Sequence, residues 1–177
     1  TWDVEVGNYS EPERVEADSG WLAANPDVDR FTAATTDDVS VRGEVFDLAA
    51  VEDPAAAGLV AIDGRLPSTS GEVAFSPDAL RDLDLDLGDA VALSMSGSPE
   101  RTFRVVGTTL GPGAVDPRLD LRRGVLLLLS DAAAMAPEGA ISPDRLIVRF
   151  RDDVDQEAAL ARLRAKFPKT TYESALT

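Results

Sequence analysis

Carboxylates offer the first chemistry in this sequence. In Asp82-Leu83-Asp84-Leu85-Asp86-Leu87-Gly88-Asp89 they recur at alternate positions, the spacing at which an EF-hand loop surrounds calcium with hard oxygen ligands. The match breaks where that motif is most demanding. Counted from Asp82, the glycine position holds Leu87 and the bidentate position holds Leu93; counted from Asp84, those positions hold Asp89 and Met95. The run reads instead as a helix end entering a strand, with Leu83, Leu85 and Leu87 inward and the aspartates in water. Asp37-Asp38 and Asp152-Asp153 are carboxylate pairs of the kind that does acid–base work in a cleft. As sequence neighbours they read as turn groups and helix caps, Asp152 or Asp153 capping the helix that follows. Asn8-Tyr9-Ser10 fits the N-glycosylation sequon. Gly111-Pro112-Gly113 lacks the lysine and the helix start of a phosphate-binding loop.

The residues that are missing narrow the chemistry further. The chain has no cysteine and no histidine, which excludes a Cys nucleophile, a disulfide, a Ser-His-Asp triad, the usual zinc sites and an imidazole pH switch. The remaining reactive set is carboxylates, Ser/Thr and two lysines, Lys166 and Lys169, both at one helix end. No catalytic, cofactor-binding or metal-ligating residue is assigned, no cofactor is expected, and the chain does not read as an enzyme. Its net charge of −15 is spread along 177 residues. Such a surface repels phosphate backbones and anionic headgroups, so no nucleic-acid partner is expected. Apolar residues make up 44%, enough for a core. No apolar run approaches the roughly 18 residues that span a bilayer. The chain opens at Thr1 without an initiator methionine or signal peptide, so a piece of a longer protein is expected.

The elements that would position these groups begin alike at both ends. Trp2 to Val6 alternates as a strand does, and Ser10 stands three before Glu13, the capping-box spacing, with Pro12 in the first turn. A helix to about Ala24 and a strand from Val28 to about Ala34 follow. Near the other terminus Leu146–Phe150 is a strand. A helix carrying Leu160, Leu163 and Phe167 on one stripe comes next, then Thr170–Tyr172 as a last strand. Its acids lie at the start and its basic residues at the finish, as the helix dipole prefers. Two β-α-β units packed as a split βαβ sheet bring the first and last strands together, antiparallel. Between them the chain is mostly strands: Val39, Val41, Gly43 and Val45 alternate, and Leu59–Ile62, Glu72–Phe75, Ala90–Leu93, Thr102–Val106 and Gly124–Leu129 follow. Turn residues separate these strands. Short helices interrupt after Ser76-Pro77-Asp78 and at Asp131–Met135. The expected fold class is α+β, a split βαβ (porter-like) lobe from residues 1–37 and 144–177 with an inserted, mainly β outer lobe over 38–143.

One stretch adds a family resemblance. Gly64-Arg65-Leu66-Pro67, Gly71-Glu72-Val73, Leu85-Asp86-Leu87-Gly88-Asp89-Ala90-Val91-Ala92-Leu93 and Phe103-Arg104-Val105-Val106-Gly107 occur in order. Together they resemble the periplasmic core domain of MacB/FtsX-like ABC transporter permeases. Leu146–Phe150 and the helix after it resemble that family's closing segment. The resemblance implies an extracytoplasmic domain at the cell membrane, moved by ATP hydrolysis in a cytoplasmic ABC ATPase. It implies a second permease protomer and, in some members, an extracytoplasmic protein, lipoprotein or peptide as partner. Transport, lipoprotein handling and mechanotransmission are the roles it brings. A stand-alone extracytoplasmic ligand-binding or sensor module is the alternative. By residue type alone, the motif's glycines and Asp89 are turn-formers.

The Asp82–Asp89 run supplies a direct test, because an ion that binds the native state raises its stability by mass action. Millimolar calcium or magnesium should leave the melting temperature unchanged. A rise that disappears in Asp84→Asn would restore the run as a metal site.

Overall fold

The computed structural model describes residues 3–7, 12–110, 123–168 and 171–173. Along the chain these form β1 (Val4–Gly7), α1 (Pro12–Ala24), β2 (Val28–Val41), β3 (Glu44–Val51), β4 (Ala61–Gly64), β5 (Glu72–Phe75) and α2 (Pro77–Asp82). There follow β6 (Ala90–Ser94), β7 (Arg101–Thr109), β8 (Gly124–Leu128), α3 (Leu129–Met135), β9 (Arg145–Phe150), α4 (Gln156–Lys166) and β10 (Thr171–Glu173). The Ser10–Glu13 capping box, the sequon and the Gly111–Gly113 turn fall outside the residues that can be described. None of the described helices is long and apolar enough to cross a membrane.

The two ends fold together. Strands lie in the order β10-β1-β9-β2, with β1 antiparallel to both neighbours and β9 antiparallel to β2. This is the split βαβ arrangement. Alternation decides which face is covered: Val4 and Val6 of β1 and Leu146, Val148 and Phe150 of β9 are buried against Val15, Leu22, Ala159, Leu163 and Phe167. Trp21 and Phe167 join the two helices edge to face, 5.4 Å between ring centres. Helix α4 is capped by Asp155, whose side chain accepts from the Ala158 N–H at 3.0 Å. The expected caps sit too early, since the Val154 N–H closes a turn on the Arg151 carbonyl and delays the helix. Asp152 and Asp153 pair instead with Arg149 and Arg151.

The middle of the chain curls into a closed ring of six strands. Strand β2 pairs with β3, β3 with β8, β8 with β5, β5 with β7 and β7 with β6. β6 returns to the end of β2 through Ser40–Ser94 and Val41–Leu93. Residues at alternate positions, among them Val39, Phe46, Phe75, Leu93, Phe103 and Leu127, fill the interior, and Ala79 of α2 with Ala132 and Met135 of α3 close it. The sequence pattern had placed Val39 to Val45 on one strand. The chain instead reverses at Arg42-Gly43, both with positive φ (52° and 82°), the two-residue turn that suits a hairpin's twist. Val39 then faces Phe46 and Val41 faces Glu44. Asp37-Asp38 is likewise no turn: both residues lie exposed inside β2.

Strand β2 belongs to both parts. Its first half pairs with β9, its second with β3, and it passes residues 37 and 38 without a break. A third cluster, small side chains for the most part, packs on the opposite face, where Ala34, Ala49, Ala74, Leu126 and Ile147 lie under Ala57 and Leu59. Leu126 and Leu127 are therefore buried on different faces, as a strand enclosed on both sides requires. Leu129 packs against both the ring's interior and the helix-covered core. Leu163 is fully buried in the latter, so Leu163→Ala should cost about 2–5 kcal/mol in urea unfolding. A loss below about 1 kcal/mol would mean that this layer is not a close-packed core.

Candidate functional site

The ordered motif pieces, separated in sequence, meet at one place. Strand β4 crosses β7 so closely that glycine is needed on both sides. A Cβ at Gly107 would lie 2.2 Å from the Arg65 carbonyl oxygen, and one at Gly64 would lie 2.3 Å from that of Val106. Gly64 also has φ +66°. The Arg65 N–H donates to the Val106 carbonyl at 2.9 Å. Beside this crossing, the Gly88 N–H donates to the Val105 carbonyl at 2.8 Å, and the Val105 N–H to that of Asp89 at 2.9 Å.

Two buried carboxylates hold the loop between β4 and β5. Glu72, only 9% exposed, accepts both guanidinium arms of Arg65, one at 2.7 Å. It also accepts the Ser68 and Thr69 N–H groups at 3.0 and 3.1 Å. The Arg65 hydrogen bond, aided by those loop N–H groups and opposed by burial, holds the Glu72 carboxyl far below the usual carboxylate range. Asp131, on the first turn of α3, accepts from the Ser70 hydroxyl at 2.5 Å and the Gly71 N–H at 3.0 Å. Both carboxylates are engaged by this one loop. Glu72 is held ionised, which suits a structural clasp rather than proton transfer.

The Asp82–Asp89 run is divided by its turns. Asp84 sits at φ +50°, Leu83 and Leu85 are buried, and Asp89 accepts from the Asp86 N–H at 2.9 Å. Leu87 does not point inward as expected. It is 39% exposed, because Gly88 turns the chain toward Val105 and leaves Leu87 beside Gly64. Among the described residues, no three His, Cys, Asp or Glu side chains gather as a metal would need. A shallow cleft of about 490 Å³ lies between Trp21, Asn25, Pro26, Asp27 and Arg162, and an Arg162–Asp27 bond at 2.7 Å crosses it.

The first and last strands are neighbours. Val4 stands opposite Glu173 in the β1–β10 ladder, so the start of the first strand and the end of the last lie side by side, about 5 Å apart. Where the end lobe meets the ring, the buried Arg145 contacts Asp144 at 2.9 Å, Thr36 at 3.2 Å and Glu5 at 3.7 Å. It thus joins the entry strand to β2. Neither Arg145 nor Asp131 was singled out by sequence reasoning. A charged residue opening an apolar strand was the available sign for Arg145; Asp131 offered only a helix start.

No protein-family model matches the sequence, and no curated protein matches it. Solved structures do. The periplasmic region of MacB from Actinobacillus actinomycetemcomitans superposes with a TM-score of 0.63 at 16% identity, covering 97% of this chain and 88% of that one. The extracellular domain of the noncanonic ABC-type transporter YknZ from Gram-positive bacteria gives 0.60 at 12%, covering 97% and 98%. A domain of a putative permease from Porphyromonas gingivalis gives 0.50 at 15%, covering 99% and 90%. The α+β fold of this chain is that of the MacB periplasmic region.

Because folding lowers the pKa of Glu72, its ionised form contributes stability above the unfolded value of about 4.3, and that contribution fades as pH falls below it. Glu72→Gln should therefore melt lower at pH 7 and lose less of its remaining stability between about pH 4.3 and 2. Equal melting at pH 7, with parallel acid limbs for the two proteins, would remove the clasp.

Proposed function

We propose that this chain is the extracytoplasmic domain of an ABC transporter permease, held at the outer face of the cell membrane between two transmembrane helices. ATP hydrolysis by a cytoplasmic ABC ATPase drives it through the rest of the permease, and a second permease protomer stands beside it. The observation that carries this reading is the Val4–Glu173 pairing. Two membrane tethers leaving from adjacent strands turn a movement of the helices into a movement of the whole sheet. The likeness in fold to MacB and YknZ supports it, and both of those proteins contribute domains outside the membrane.

In this reading residues 1–37 and 144–177 form the membrane-proximal lobe and 38–143 the outer lobe. Motion passes between them through β2, whose backbone is bonded in both, and through the Arg145 contacts. The work done outside is export, lipoprotein handling or signalling to a partner. It is mechanical rather than catalytic: the buried carboxylates are engaged in holding loops, and the sequence has no Cys or His nucleophile or base.

The absence of cysteine from these 177 residues makes a clean test. In the full-length protein in intact cells, with any cysteine outside these residues replaced by serine, Glu157→Cys at this exposed position should react with a membrane-impermeant maleimide. Labelling that requires permeabilised cells would overturn the placement. A full-length chain without hydrophobic segments on both flanks would favour the stand-alone sensor module.

A further inference from the structure

Apolar surface is concentrated at one edge of this protein. Among the described residues the large hydrophobic side chains left exposed are Val45, Val60, Ile62, Leu87 and Leu110, and four of these five lie on β4 or beside its two ends. Val60 is 74% exposed and Ile62 58%. Leu110 lies across from Val60, one step beyond the Ala61–Thr109 pair. Leu87 abuts the other end of the strand, its Cδ1 3.1 Å from where a Cβ on Gly64 would be. Scattered exposed hydrophobics need no explanation, but four placed along one strand do.

That strand is also a free edge. β4 ends the sheet order, with β7 on one side and no strand on the other among the described residues. Natural edges are blunted by lysines, prolines or charges. Here the protection is a register shift between Ala61 and Asp63 and one acid, Asp63. The acids around the edge, Asp63, Asp86 and Asp89, are all exposed, and the exposed Arg104 stands on the far side of Asp89, opposite Ala90 of β6. The nearest cation in sequence, Arg65, is engaged by Glu72.

We propose that the β4 edge is a docking site for an extended partner segment that alternates apolar and basic residues. Such a segment adds a strand beside β4 by main-chain hydrogen bonds. Its apolar side chains cover Val60, Ile62, Leu87 and Leu110, and its lysines or arginines meet Asp63, Asp86 and Asp89. Charge selects this occupant over a second copy of the chain, because two surfaces of net charge −15 repel. The proposal concerns the outer surface alone and stands whether or not the domain belongs to a transporter.

The test uses the 177-residue chain and an eight-residue synthetic peptide of alternating valine and lysine, with alternating valine and glutamate as control. Amide chemical shifts at residues 60–64 should move with the basic peptide and stay still with the acidic one. Val60→Ser/Ile62→Ser keeps every charge and shortens two side chains that are more than half exposed, so it should fold as the parent does by circular dichroism. It should weaken binding at least tenfold. Asp63→Asn/Asp86→Asn should reduce the salt dependence of what remains. Three results would overturn the proposal. One is unchanged affinity in the serine variant, which would leave only diffuse attraction to an acidic protein. The others are shifts confined to residues away from β4, and dimerisation of the chain through this edge in sedimentation.

Discussion

Strand β2 is shared by everything else in the fold. Its 14 residues extend about 46 Å at 3.3 Å per residue. One edge is bonded first to β9 and then to β6, the other to β3 from Ala34 onward. Amide groups buried without partners are costly, so the helix-covered core and the ring of strands cannot slide past each other without breaking this ladder. What remains available is bending and twisting of one continuous strand. β2 is thus one element of both parts rather than a linker between them, and Arg145 contacts it where β1 passes.

The clasp around the β4–β5 loop answers the same requirement by other means. The loop has no ladder of its own, so Glu72 and Asp131 accept the N–H groups of Ser68, Thr69 and Gly71. Carboxylates suit this role because one group accepts several donors, and a charged acceptor makes the stronger bond. The glycines at 64 and 107 serve proximity: they let β4 cross β7 at a spacing that no Cβ allows. The motif of Gly64 to Gly107 is thus a local solution for anchoring a loop across a closed sheet. Its conspicuous carboxylate, Glu72, is spent on architecture, and its exposed leucine, Leu87, lies at the edge where a partner can reach it.

Much of this was legible in the residues. Local signals sufficed wherever the determining contacts are close in sequence: the 3.6-residue stripe of α4 ending at Pro168, Ser76 capping α2 with Pro77 behind it, and the Leu126–Leu127 strand too apolar to be exposed on either face. Where two local solutions compete, the sequence misleads. Asp152, Asp153 and Asp155 are all competent caps, and the turn closed by Val154 decides among them. Val39 to Val45 alternates through Arg42-Gly43 as a single strand would, yet the chain folds back there, since pairing Val39 with Phe46 buries both. Asp37-Asp38 looked like a turn because a strand's solvent face and a turn draw on the same residues.

The sequence by itself determined the fold class, the matching β-α-β units at the two ends and the poverty of catalytic groups, because these follow from residue type and short-range period. Only the tertiary structure decided that the middle strands close into a ring through β6, that β2 runs through both cores, and that β4 is left as an edge. It alone chose Arg145, Glu72 and Asp131 as the charges taken into the interior. Each of these depends on which strands lie side by side across tens to more than a hundred residues. A residue's spacing along the chain does not carry that information; the complementarity of faces and the pairing of backbone groups do.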